Sequence, residues 1–260
     1  MKTYKYIETE KTLNTRINFN KKFGNFDLNK FVDRKFKIKK GQTILDLGCG
    51  DGKYGKLFIK KVGAKGKVIA LDNNSELINF FKKKIKKKNL IIKKKDYDED
   101  WKIDHKIDWF FSIYSIQYTK NFSSILRKIK KNSRENTNIV FIGPGKDNSI
   151  IINKIHKLVF NKSAPKLYVD RMKFIETTGY KQLKKFNSHK KTTLTKHNYQ
   201  IKFKNYEDFA EYYWSTPLWK DAEIKMNKKM IKQKKNKTID IIKKMKLKNL
   251  KKQTVCLFSR

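Results

Sequence analysis

Residues 43–62 narrow the possible folds of this chain more than any other stretch. The apolar run Thr43-Ile44-Leu45-Asp46-Leu47 leads into Gly48-Cys49-Gly50-Asp51-Gly52, and residues 54–62 then carry helical spacing. A strand that turns through glycines into a helix opens a βαβ unit. Gly48 and Gly50 let the backbone approach a ligand with no Cβ in the way. A pyrophosphate favours the helix N-terminus of such a turn. Here Asp46 and Asp51 would repel it, whereas carboxylates suit a cationic ligand that carries an amino group.

The rhythm continues downstream. Residues 67–72 read as a second strand and residues 75–88 as a helix with Ser75 as its N-cap. Residues 90–94 and 107–112 are further strands, 122–131 a helix, and 138–142 a fifth strand stopped by Gly143-Pro144-Gly145. Strands alternating with helices imply right-handed crossovers and a parallel sheet. Their continuous apolar runs imply helices on both faces. Upstream, Phe19, Phe23, Phe26, Phe31 and Phe36 are spaced like one or two short amphipathic helices. Past Gly145 the pattern predicts a helix over 149–160, then a helix ending near Gly179 that gives way to a strand before residue 186. An aromatic-rich helix over 204–214, a lysine-laden helix over 220–246 and a closing strand over 254–259 follow.

The net charge of +41 points towards polyanions. Of the 65 basic residues, however, only six are Arg. Dedicated nucleic-acid surfaces favour the planar fork of Arg. Lys, Asn and Ile are abundant while Ala is scarce, as A/T-rich codons dictate, so the lysine excess reads first as base composition. The lysine runs at 82–88, 93–95 and 228–235 are expected on solvated faces. Cys49 and Cys256 each lie in an apolar run, which implies buried reduced thiols and a cytoplasmic setting. The N-terminal residues lack the apolar core of a signal peptide, no stretch is long and apolar enough for a transmembrane helix, and no spacing implies a metal site.

Three further features carry chemistry. Asp72 ends the second strand about 20 residues past the glycine turn, where a carboxylate accepts from ribose hydroxyls. Asp96 follows the third strand, placed to accept from an adenine amino group, and Tyr97 would pack on the ring. After the fourth strand comes Ser112-Ile113-Tyr114-Ser115-Ile116-Gln117-Tyr118.

Together these residues resemble the class I S-adenosylmethionine (SAM) dependent methyltransferases. Residues 45–52 look like that family's first motif, DLGCGxG. Asp72 matches its ribose-binding acid and Asp96 its adenine-binding acid, and residues 107–112 match its fourth-strand motif. Residues 112–118 look like the SNLALQW pattern of malonyl-carrier-protein and trans-aconitate methyltransferases. The likeness is good over residues 41–145; beyond them only the layout is similar. Ile113 and Tyr114 stand where the family often has Asn. Residues 132–136 replace the usual Leu-Lys-Pro-Gly-Gly and are expected as a surface loop.

The resemblance implies an α/β fold: a Rossmann-like, seven-stranded, mostly parallel sheet with helices on both faces and a small helical, aromatic lid insertion. The expected parts are an N-terminal helical cap (1–40), the SAM-binding core (41–145), an acceptor-covering lid with the sixth strand (146–253) and a closing strand (254–260). It also implies SAM as cofactor, S-adenosylhomocysteine as product, and cofactor contacts from Asp46, Gly48, Cys49, Gly50, Asp72, Asn73, Asp96, Tyr97 and Ser112. Tyr114, Gln117 and Tyr118 are the catalytic candidates near the methyl group. Tyr4, Tyr6 and Phe23 could close over the cofactor. His156, His189 and His197 could serve as a base, and Tyr212, Tyr213, Trp214 and Trp219 could line an acceptor pocket or pack the lid.

The leading expectation is methyl transfer to a small-molecule or carrier-bound acceptor. Its rivals are an RNA or ribosomal-protein methyltransferase and a non-catalytic partner protein of the same fold. The shortage of Arg and the absence of an Asn/Asp-Pro-Pro-Tyr motif weigh against RNA-base methylation. The intact Gly48, Gly50, Asp72 and Asp96 weigh against the non-catalytic reading, and the leading Asp of DLGCG against a dehydrogenase.

Overall fold

The computed structural model describes residues 9–219 and 226–260. The expected seven-stranded, mostly parallel sheet is present. Its strands are β1 (Thr43–Leu47), β2 (Lys67–Asp72), β3 (Leu90–Lys94), β4 (Ile107–Ile113), β5 (Ser133–Pro144), β6 (Thr192–Lys202) and β7 (Asn249–Ser259), in the order β3-β2-β1-β4-β5-β7-β6. Strands β1 to β5 run parallel, and β7 lies antiparallel to β5 with Ile142 opposite Cys256.

The chain divides into two compact units. One is the sheet unit, residues 28–145, 174–196 and 254–260; the other is the helical unit, residues 1–27, 146–173 and 197–253. The sheet unit is covered twice. On one face Leu45, Leu47, Phe110, Phe141 and Leu257 pack with residues of α5 (Phe122–Asn132) and α8 (Tyr180–Phe186). On the other, Ile44, Val68, Phe111, Val140 and Cys256 pack with α2 (Leu28–Lys35) and α3 (Gly55–Val62). Alternate residues of β1, β2, β4, β5 and β7 thus enter different cores, which is why these strands carry apolar residues on both faces.

Local rules and local departures are both visible. Helix α4 (Ser75–Lys84) is capped by Asn74, not Ser75: the Asn74 side chain accepts from Glu76 N and Leu77 N. The helix stops four residues short of Lys88, as Ile85 turns extended. Residues 133–136 are strand, not loop. The pairing of β5 begins at Ser133 opposite Ile107 and shifts register before Trp109, so polar residues enter the strand through an irregularity. Residues 180–186 are helix, not strand. Gly179 keeps helical dihedrals (φ −59°, ψ −51°), and the π-helical turn Ile175–Gly179 feeds α8 directly. A Cβ on Gly179 would lie 3.2 Å from the Phe174 carbonyl, so this glycine serves close packing and does not break the helix.

The helical unit holds α1 (Glu10–Phe23), α6 (Ile150–Phe160), α7 (Lys166–Lys173), α9 (Tyr206–Ser215) and α10 (Lys228–Lys244). Its core is aromatic: Tyr212, Tyr213 and Trp214 are buried with Tyr199, Phe203 and Phe209. Phe19 and Phe23 of α1 pack against this cluster. Trp214 Nε1 donates to Thr238 Oγ1 at 3.1 Å, giving its one polar atom a partner. Lysines 82–84, 86–88, 93 and 94 are exposed, as expected of solvated faces, and so are most of those between 228 and 235.

Candidate functional site

The loop after β1 is held by Leu71, whose carbonyl accepts from Gly48 N at 2.8 Å and Cys49 N at 3.0 Å. Gly48, Gly50 and Gly52 all have positive φ (75°, 56° and 74°). Their surroundings differ. A Cβ on Gly48 would lie 1.8 Å from Ser115 Oγ, and one on Gly52 would lie 2.1 Å from the Phe81 ring. A Cβ on Gly50 would have Leu77 Cδ1, 4.0 Å away, as its nearest neighbour. Two glycines therefore serve close packing, while Gly50 faces open space.

Asp72, at the end of β2, ties this loop to the next. Its Oδ2 accepts from Gly50 N at 2.8 Å and its Oδ1 from Asn74 N at 2.9 Å. The carboxylate is only partly buried by these contacts, so part of it stays open to a further donor. Burial pushes the Asp72 carboxyl up, against the pull of these backbone donors. Asn73 Nδ2 donates to Asp96 Oδ2 at 3.1 Å, joining the loop after β2 to the loop after β3. Tyr97 donates to the Ser115 carbonyl at 2.9 Å, joining that loop to the turn after β4. Burial raises the Tyr97 phenol, so it acts here as a neutral donor.

Asp46 is 3% exposed. Desolvation, with a contribution from the Asp72 charge, pushes its carboxyl to about 7, and no donor offsets the shift. Cys49 is buried and its thiol is raised by burial and the neighbouring carboxylates, so it is inert as a nucleophile. Ser112 donates to the Leu47 carbonyl at 2.8 Å and so locks β4 against β1.

The three residues singled out after β4 differ in their settings. Tyr114 has φ 57°, a left-handed conformation unusual for a bulky side chain. Its hydroxyl lies 2.5 Å from Thr254 Oγ1 on β7. Gln117, in the one-turn helix Ile116–Tyr118, is 4% exposed, and its Oε1 is buried without a hydrogen-bond partner. It lies beside Gly143, where an added Cβ would come within 3.2 Å of that oxygen. Tyr118 is half-buried, with its backbone N–H on the Ser115 carbonyl.

Other candidates disperse. His189 is exposed in the sheet unit. His156 is buried in the helical unit with Nδ1 3.0 Å from the Tyr213 hydroxyl, and desolvation holds its pKa at about 4. His197 stacks on Phe26 at 5.4 Å in the same unit. Tyr212, Tyr213 and Trp214 belong to the core of the helical unit. Tyr4 and Tyr6 lie outside the described residues, as does the side chain of Trp219.

Sequence reasoning passed over Ser115, Asn74 and Asp98. Asp98 accepts from Thr119 Oγ1 and from Lys120 N, at 2.9 Å for the latter, and so fixes the loop after β3 to the segment after the Gln117 turn. Inside the run Asp96 to Asp100, neighbouring carboxylates thus have separate partners, which composition alone does not reveal.

A family model described as a methyltransferase domain matches residues 38–211. A demethylmenaquinone methyltransferase of Lactobacillus johnsonii is 42% identical over 57 residues, 22% of this chain. The match spans 23% of that relative's length, less than a quarter. Two solved structures share the fold over most of the chain. One is a candidate methyltransferase from an antibiotic biosynthesis pathway of Anabaena variabilis, with TM-score 0.61 and 13% identity, covering 88% of this chain and 95% of that one. The other is a cyclopropane-fatty-acyl-phospholipid synthase-like protein from Lactobacillus casei, with TM-score 0.58 and 13% identity, covering 96% and 92%.

Proposed function

Because this chain belongs to the methyltransferase-domain family, we propose that it is a class I SAM-dependent methyltransferase that acts on a small-molecule or carrier-bound acceptor, with the cofactor held by the loops after β1, β2 and β3. The observation that carries this reading is the hydrogen-bonded chain Gly50–Asp72 and Asn73–Asp96, with the Asp72 carboxylate still partly exposed.

The residues fit the cofactor's chemistry. Asp72 would take the two ribose hydroxyls. Asp96 would accept from the adenine amino group, with Tyr97 against the ring. Gly50 leaves its Cβ space to the ligand. Asp46, buried and short of donors, is suited to the cationic ammonium and sulfonium end. Cys49 and Ser112 complete the wall. When bound, SAM supplies a methyl group already activated by its sulfonium. The chain's own task is to align the acceptor's nucleophile with that methyl for in-line displacement, and to exclude water.

Tyr114, Gln117 and Tyr118 would do this. The buried, partnerless Gln117 Oε1 calls for a donor, since an unsatisfied buried carbonyl is costly. It supports an enclosed acceptor bearing an O–H or N–H. The lysine excess supports a second reading, an RNA or ribosomal-protein acceptor.

Calorimetric titration with SAM, S-adenosylhomocysteine and NADH tests the cofactor site. Micromolar binding of the first two, none of NADH, and loss of at least about tenfold in Asp72→Ala are expected. A folded protein that binds neither SAM nor its product would sink the reading.

A further inference from the structure

Among the described residues five large apolar side chains are exposed, and all five belong to the helical unit. Ile150, Leu158, Leu167 and Val169 fall within residues 150–169, on α6 and α7. Met230 lies at the start of α10, which packs against α6.

Helix α6 shows the arrangement best. Its buried residues, Ile152, Ile155, His156 and Val159, follow i, i+3, i+4, i+7 and form the core-facing stripe. Ile150, Lys154, Lys157 and Leu158 follow i, i+4, i+7, i+8 and form another, exposed stripe. Ile150 is 60% and Leu158 45% exposed. Much of the apolar area of these two side chains stays in water after folding, and they sit at the two ends of a stripe whose middle is lysine.

The charge around them is mostly positive, with Asp147, three residues before Ile150, an exposed exception. Residues 150–173 contain Lys154, Lys157, Lys162, Lys166, Arg171 and Lys173 against one carboxylate, Asp170, which already pairs with Lys173 at 2.9 Å. Lysines flanked by aliphatic side chains on one helical stripe match a surface that is anionic outside and apolar just beneath. RNA would satisfy the lysines alone; its protein partners use aromatic or Arg planes for bases, and the exposed apolar residues here are aliphatic or Met.

We propose that the exposed stripe of α6 docks the helical unit on an anionic lipid bilayer. Lys154 and Lys157 meet the headgroup phosphates, while Ile150 and Leu158 enter the acyl boundary. No helix of the described residues is long and apolar enough to cross a membrane, so the docking is to the bilayer surface. This inference does not depend on the identity of the methyl acceptor.

The test is sedimentation of the full chain with vesicles of phosphatidylcholine alone or mixed equally with phosphatidylglycerol. Poly(U) binding is measured in parallel. Two variants, Ile150→Ser/Leu158→Ser and Lys154→Glu/Lys157→Glu, change exposed positions, and a thermal melt checks that each is folded. Wild type should sediment with the mixed vesicles and not with phosphatidylcholine. Both variants should lose about tenfold or more in vesicle affinity, and only the lysine variant should weaken on poly(U). Wild type that ignores the mixed vesicles overturns the proposal. So does a folded Ile150→Ser/Leu158→Ser variant that sediments like wild type, because the surface would then serve polyanions in general.

Discussion

At the scale of single residues, glycines of one turn carry different burdens. Gly48→Ala must place a methyl group 1.8 Å from Ser115 Oγ at positive φ. A destabilisation of about 2 kcal/mol or more is expected, together with lost SAM binding. Adding Ser115→Gly should recover part of the stability in a thermal melt. Gly50→Ala meets open space, so its cost to the fold should be about 1 kcal/mol. Its SAM affinity should nevertheless fall at least as far, which calorimetry would read. Asp46 supplies a pH dependence. Its folded pKa of about 7 lies above the unfolded value, so the stability tied to its protonated form is lost as pH rises towards 7. A cationic ligand needs the charged form. SAM binding should therefore tighten from pH 6 to pH 8, with proton release at the lower pH. Asp46→Asn should flatten that profile and raise the melting temperature of the ligand-free protein more at pH 8 than at pH 5.

At the scale of elements, the asparagines that inflate the composition do structural work. Asn74, Asn121, Asn205 and Asn227 all cap helix N-termini. Asn74→Ala removes an acceptor shared by Glu76 N and Leu77 N. It should cost about 1 kcal/mol, seen as a drop in melting temperature of a few degrees. Strands β2 and β3 were legible residue for residue, because short apolar runs flanked by charged residues leave few alternatives. Residues 180–186 were not. Gly179 looks like a helix breaker in sequence, but its helical dihedrals serve close packing against Phe174 and Leu257. Residues 133–136 are too polar for strand propensity to find; their pairing with β4 decides them.

At the scale of the whole molecule, pH acts on the two units with opposite sign. His156 in the helical unit has a folded pKa of about 4, below its unfolded value. The stability it lends is present above about 6.5 and is lost as pH falls towards 4. The unit should loosen across that window, by about 1–3 kcal/mol once partial exposure to solvent is allowed for. Fluorescence of Trp214, buried in the same core, would follow the change, and His156→Phe should abolish the slope. Asp46, in the sheet unit, pulls the other way over part of the same range.

The sequence alone determined the βαβ core, the glycine turn after β1 and the positions of Asp72 and Asp96 after β2 and β3. Each depends on residues close together in the chain: a strand, the turn that ends it, and the next helix. Tertiary structure decided the rest. It brought Ser115 against Gly48 and Tyr97, split the run Asp96 to Asp100 into separate partners, and left Gln117 Oε1 buried without a donor. It also turned Tyr212, Tyr213, Trp214 and His156 into the interior of a helical unit. These outcomes depend on contacts between residues tens of positions apart, such as Tyr114 with Thr254. Burial and partnership there are set by packing, which no local pattern encodes.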